Sequence, residues 1–160
     1  MSTPKTNAMR ILDKSKIAYQ MHSYDHEDGL IDGISVARKM GQDPAQVYKT
    51  LVTQGASRNF YVFVIPVEAE LDLKAAARAV GEKNVAMIHV AEINQVTGYI
   101  RGGCSPVGMK KQYVTVFDQT CCDKDTMFVS GGKIGLQIEI APDDLISVTS
   151  GRTADLILHS

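Results

Sequence analysis

Cysteine is scarce in this chain, long apolar runs are absent, and neither sign of charge dominates. Three cysteines occur in 160 residues, and two of them, Cys121 and Cys122, are adjacent. That is no basis for a disulfide framework and suits a reducing compartment. The longest apolar run, Phe60–Val67, is far too short to cross a bilayer. Residues 1–10 lack the apolar centre of a signal peptide, so a cytoplasmic location is expected and no membrane partner. Seventeen basic against eighteen acidic residues leave a net charge of −1. High-affinity nucleic-acid binders draw their strength from many Lys and Arg contacts to phosphates, so an autonomous binder of DNA or RNA is not expected. A protein that touches one end of a nucleic acid, or leans on a partner for affinity, remains compatible. No repeat, low-complexity stretch or linker appears, and residues 1–160 read as one domain.

What is present is ordinary globular material, 44% apolar and 22% charged. Thr3-Pro4 reads as an N-cap with proline at the first helical position, opening a helix that runs to about Ser15. Ala18–Tyr24 reads as a strand and residues 25–33 as a polar loop. A helix over Ile34–Met40 closes at Gly41, and Asp43-Pro44 opens a further helical turn. Leu51–Gln54 and Phe60–Val67 form a hairpin around the 55–59 turn. Asp72 caps a helix over Leu73–Val80 that ends at Gly81. A strand at Val85–Ile88 and a helix at Ala91–Val96 follow. Strands come next at Val114–Asp118, Met127–Ser130 and Leu136–Ala141, then a helical turn at Pro142–Leu145 and a last helix near Ala154–Leu158. Helices and strands interleave while neighbouring strands also join through short turns. The expected class is therefore α+β, a mixed sheet with helices packed on it.

The stretch Gly98-Tyr-Ile-Arg-Gly-Gly-Cys-Ser-Pro-Val-Gly-Met-Lys-Lys111 concentrates four glycines and a proline. It reads either as a tight turn or as a stiff loop whose bare N–H groups face an oxyanion or a polarised carbonyl. Lys49, at the entry to an apolar strand, either pairs with an anion or carbonyl in a cleft or extends its ammonium into water. Val129-Ser-Gly-Gly-Lys-Ile-Gly135 fails the Walker pattern in its glycine spacing and in having Ile134 where Ser or Thr would serve magnesium. It stays a candidate second wall of the same cleft. Cys104 is a conceivable nucleophile, but none of His22, His26, His89 and His159 is spaced as its base, and a small incidental thiol is the simpler reading. Cys121 and Cys122 read as surface residues near a turn. No Cys or His pair has zinc-ligand spacing. Asp143-Asp144 read as first-turn charges that suit a helix dipole.

Tyr48-Lys-Thr-Leu51, Leu71-Asp-Leu73, Thr97-Gly-Tyr, Gly102-Gly-Cys-Ser-Pro-Val-Gly108 with Lys110-Lys111, and Ser130-Gly-Gly-Lys133 occur in that order. Together they resemble the YbaK family of free-standing aminoacyl-tRNA deacylases, related to the editing domain of bacterial prolyl-tRNA synthetases. The resemblance runs from about Lys16 to Glu139 and implies a strongly curved mixed sheet flanked by helices, with the cleft between them. It further implies that Lys49 holds the 3′-terminal ester or its neighbouring phosphate, and that Gly102 and Gly103 present N–H groups to the carbonyl. Tyr24, Thr50, Ser105, Pro106, Ser130 and Gly131 are implied as substrate-binding positions. The implied reaction is release of cysteine from mischarged tRNA(Pro), and of cysteine from tRNA(Cys) as well, with the substrate's own thiol attacking its ester. No metal and no cofactor take part, and prolyl-tRNA synthetase is the implied partner. An alanine deacylase on the same scaffold and a non-catalytic synthetase- or tRNA-binding module are the alternatives. Gln137 stands where relatives tend to carry an acidic residue, which leaves any electrostatic role there open.

Overall fold

The computed structural model describes residues 5–159. The expected Thr3-Pro4 cap lies outside them; the first helix, α1 (Asn7–Lys14), is capped instead by Thr6, whose hydroxyl accepts from the Met9 N–H at 3.2 Å. β1 (Tyr19–Ser23) and α2 (Gly33–Met40) follow. Asp32 caps α2, and Gly41 ends it in the left-handed region at φ 67°. A short 3₁₀ turn at Pro44–Gln46 leads into β2 (Tyr48–Gly55), which pairs with β3 (Phe60–Pro66) as the hairpin read from the sequence. α3 (Leu73–Val80), β4 (Val85–Met87) and α4 (Val90–Thr97) complete the first half. The long glycine-bearing loop 98–113 then delivers the chain to β5 (Val114–Asp118). β6 (Met127–Ser130), β7 (Leu136–Ile140), α5 (Pro142–Val148) and β8 (Arg152–Ala154) finish it.

The class is mixed α+β, as expected, and its strands divide into two hydrogen-bonded sheets. One is antiparallel, in the order β1-β7-β6. The other, β4-β2-β3-β5-β8, is antiparallel through β4-β2-β3 and parallel through β3-β5-β8. An isolated parallel bridge, Val47↔Phe128, links the sheets.

β3 explains the apolar run. Val62 and Val64 turn to one core, with Met9 and Leu12 of α1, Val129 and Ile138. Tyr61, Phe63 and Ile65 turn to the other, with Ala76 and Ala77 of α3. A strand covered on both faces cannot alternate apolar with polar, and this one does not.

Two sequence readings are corrected. The last helix does not form; residues 152–154 make β8, and the chain continues extended past it. Asp118, fully buried, accepts the Leu156 N–H at 2.9 Å, while the Leu156 carbonyl accepts from Asp72 N–H at 2.7 Å and the Glu70 carbonyl from Leu158 N–H at 2.9 Å. Those bonds claim the backbone groups that a helix would have paired internally. Cys121 is not on the surface. A 3₁₀ turn at Gln119–Asp123 directs it into the first core at zero exposure, and only Cys122 of the pair reaches solvent.

Candidate active site

The main cleft, about 400 Å³, opens at the seam between the sheets. The five-stranded sheet contributes Lys49, Thr50 and Leu51 from β2. The three-stranded sheet contributes Ser130 and Gln137, with Tyr24 just beyond β1. The start of α2 and the loop at 101–104 close the sides.

Lys49 is half-buried. Among the described residues its ammonium has no carboxylate within ion-pair distance, and its one polar neighbour there is the Val67 carbonyl at 3.5 Å, the outer limit of a hydrogen bond. Burial holds its pKa below the ordinary lysine value, only partly offset by the field of Glu70. A half-buried cation without an anion is costly, and it is cheapest to keep where a ligand supplies the missing partner.

Three further side-chain atoms in the described residues are buried without any hydrogen-bond partner: Tyr24 OH, Thr50 Oγ1 and Gln137 Oε1. All three belong to residues that line this cleft. Orphaned buried polar atoms are rare in folded proteins, and three around one cavity point to a polar occupant.

The glycine loops meet backbone to backbone. A Cβ on Gly103 would lie 2.9 Å from the Ile134 nitrogen and 3.1 Å from the Lys133 Cα. Gly102 has φ 85°, and a Cβ there would approach Ile31 Cδ1 to 2.7 Å. The Gly103 N–H donates to the Ile100 carbonyl at 2.9 Å and is not free for a ligand. Gly102, which lines the cleft, is left as the glycine that can offer its N–H there.

Tyr24, Lys49, Thr50, Ser130 and Gly102 thus surround the cleft, whereas Gly103, Ser105, Pro106 and Gly131 stand behind its wall. Ser105 is fully buried and accepts the Val107 N–H at 3.2 Å; Pro106 is buried beside it. Gly131 donates to the Leu136 carbonyl and accepts from Thr6 Oγ1 at 2.5 Å. These four shape the loops and do not face the cavity. Arg101 and Asp32, not singled out from the sequence, also line it, together with Gln137. Asp32 could have been suspected from its capping position. Nothing local marks Arg101.

Cys104 lies on the wall too, but burial pushes its thiol up to about 11, against a smaller opposing hydrogen bond with Thr97. A thiol held there is protonated at neutral pH and is a poor nucleophile. Iodoacetamide at neutral pH is therefore expected to label exposed Cys122 well before Cys104, read by peptide mass spectrometry. Faster labelling of Cys104 would mean an activated thiol.

The aminoacyl-tRNA editing domain, as a family model, matches residues 33–148. The chain belongs to that family. A relative from Enterococcus faecalis, named as a candidate Cys-tRNA(Pro)/Cys-tRNA(Cys) deacylase, EbsC, is 42% identical over 152 residues, covering 95% of this chain and 93% of the relative. Two solved structures share the fold. One, described as a candidate trans-editing enzyme for prolyl tRNA synthetase, superposes at TM-score 0.82 with 22% identity, covering 98% of this chain and all of its own. The other, described as a hypothetical protein, superposes at 0.87 with 20% identity, covering 96% of this chain and all of its own. In this editing domain, no helix of the described residues is long and apolar enough to cross a membrane.

Proposed function

We propose that this editing domain hydrolyses the ester of tRNA carrying the wrong amino acid, with cysteine on tRNA(Pro), and on tRNA(Cys), as its substrates. The observation that carries the reading is the unpaired Lys49 ammonium set in one cleft with three orphaned polar atoms. The relative's name supports the choice of cysteine. Residues 1–160 act as one deacylase unit, in the cytoplasm, with mischarged tRNA as substrate and prolyl-tRNA synthetase as partner.

The chemistry asks little of the protein. An aminoacyl ester is already activated, so positioning and stabilisation of developing negative charge suffice. Lys49 holds the ester oxygen or the adjoining phosphate, and the Gly102 N–H supplies a neutral donor. Tyr24, Thr50, Ser130 and Gln137 take the polar groups of the terminal ribose and the amino acid. The substrate thiol attacks its own carbonyl: a C–S bond forms, the ester C–O bond breaks, and the thiol proton ends on the released ribose hydroxyl. Water then opens the thiolactone.

The test is hydrolysis of Cys-tRNA(Pro) and Ala-tRNA(Pro) by wild type and Cys104→Ser, with and without chelator. Cleavage of the cysteinyl substrate that survives both treatments is expected. Loss with Cys104→Ser alone would restore a thiol mechanism, and preference for alanyl-tRNA would reassign the amino acid. No hydrolysis of either would leave a binding module.

Near-neutral net charge limits what the domain can grip alone. Affinity for tRNA(Pro) is expected to be weak and salt-sensitive, and to improve when prolyl-tRNA synthetase is added, measured by fluorescence anisotropy. Equal binding with and without the synthetase would remove that partner from the scheme.

A further inference from the structure

The mouth of the cleft is electrically one-sided. Residues 25–32, Asp-His-Glu-Asp-Gly-Leu-Ile-Asp, carry four carboxylates and neither lysine nor arginine. Asp25, Glu27, Asp28 and Asp32 are all exposed. The segment meets the cleft at both ends, through Tyr24 and through Ile31 and Asp32. Lys39, reaching over from α2, pairs with Asp28 at 2.7 Å and also takes the carbonyls of Asp25 and Leu30, which cancels one of those charges. The facing loop, 98–111, carries Arg101, which lines the cleft, and farther along Lys110, which donates to the Gln95 carbonyl at 3.1 Å, and Lys111, and it has no carboxylate. Lys133 stands on the neighbouring loop, whose backbone packs against Gly103. These four cations are exposed, and none belongs to the ion pairs among the described residues. The two lips meet where Ile31 approaches Gly102.

A protein with a net charge of −1 therefore borders its cleft on one side with Arg101 and loops that carry three further lysines, and on the other with a segment that carries carboxylates. Beneath them, Tyr24 and Gln137 are each more than nine-tenths buried, with polar atoms that have no partner in the protein. The cavity calls for a polar ligand, and the lips differ in which part of that ligand they tolerate. Exposed charges act within about 8 Å at physiological ionic strength, so each lip governs its own side of the mouth.

We propose that the phosphodiester strand leading to the esterified 3′ end leaves the cleft over Arg101 and along the loops that carry Lys110, Lys111 and Lys133, and that the 25–32 lip repels it from the opposite side. This inference rests on the deacylase reading above and adds a direction of approach to it. The cationic lip supplies the sequence-independent attraction of Lys and Arg for phosphate. The acidic lip contributes discrimination: a strand laid across the cleft the wrong way meets like charge.

The test compares Cys-tRNA(Pro) with cysteinyl-adenosine, which carries no phosphodiester, over a series of salt concentrations. Lys111→Glu/Lys133→Glu is expected to lower kcat/KM for Cys-tRNA(Pro) by about tenfold or more at low salt, and to flatten the slope of log kcat/KM against log salt by about 1.4, about 0.7 for each of two contacts to a single strand. The loss with cysteinyl-adenosine is expected to be at least about fivefold smaller, because the missing lysines had no phosphate to meet there. Glu27→Lys is expected to raise kcat/KM for the tRNA and steepen its salt slope. Lys83→Glu, on the connection from α3 to β4, serves as a control that leaves both at wild-type values. An unchanged slope in the double variant, an equal loss with both substrates, or weakening by Glu27→Lys would overturn the proposal. Should wild type cleave neither substrate, the deacylase reading fails separately, and binding of uncharged tRNA by the same variants still decides the lip.

Discussion

Lys49→Met is expected to lower kcat/KM for Cys-tRNA(Pro) by about 10²–10³, the range seen when one preorganised donor to a developing oxyanion is removed. The same substitution is expected to leave the thermal midpoint unchanged or raise it. Lys49 keeps a half-buried ammonium with no carboxylate partner among the described residues, so an apolar side chain of similar length removes a desolvated charge and keeps the packing. A loss of activity accompanied by a large loss of stability would make Lys49 a structural residue. The sign of its titration follows from the same cause. Burial lowers the folded pKa below the ordinary value, so the protein sheds this charge at a lower pH than an exposed lysine would. The stability cost of the charge is fully present below the folded pKa and fades as pH rises from there to the ordinary lysine value of the unfolded chain. Side-chain NMR is expected to show the Lys49 ammonium titrating ahead of the exposed lysines.

Gly103→Ala is expected to cost about 1–3 kcal/mol of stability, the usual penalty of forcing extra volume into a packed site. It is also expected to depress deacylation, although Gly103 does not line the cleft. The atoms a methyl group would strike are backbone, the Ile134 nitrogen and the carbonyl carbon and Cα of Lys133, and backbone cannot rotate aside. The two loops must separate. That displaces Gly102 and Cys104 on one side, and on the other Lys133 and the neighbouring Ser130 wall. Gly81→Ala is the control. Gly81, unlike Gly103, has a positive φ, 72°, but a Cβ there meets nothing within 4 Å, so only the conformational penalty of about 1–2 kcal/mol remains. Melting curves and deacylation rates for the pair separate strain from displacement. An active Gly103→Ala enzyme of wild-type stability would show that the loop contact is dispensable.

Much of the fold could be read along the chain because its signals are local. Gly41, Asp72 and Gly81 cap helices where capping chemistry places them, and the run Phe60–Val67 became a strand buried on both faces. The C-terminal segment failed because its partners, Asp118, Asp72 and Glu70, lie at least 38 residues away along the chain. Cys121 was misplaced for a related reason: adjacent cysteines look alike until a turn sends one inward. In the site, Lys49 was ambiguous from its neighbours, and only the family resemblance put it in a cleft. Arg101 and Asp32 could not be placed at one cleft, since nothing sequential joins them. The Gly103 N–H was assigned to a ligand although the chain spends it on Ile100 three residues earlier. The need for glycine at 103 was legible, but its reason, the approach of residues 133–134, was not.

The seam at Val47↔Phe128 carries one more consequence. Lys49 and Thr50 ride on one sheet while Ser130 and Gln137 ride on the other, and this isolated bridge is the backbone pairing between those sheets among the described residues. The spacing across the cleft is therefore fixed chiefly by side chains wedged between the sheets, Val62 and Val64 against Val129 and Ile138, rather than by a hydrogen-bonded ladder. The width of the cavity is a property of that wedge. Trimming it would alter which amino acid fits while every residue that touches substrate stayed the same.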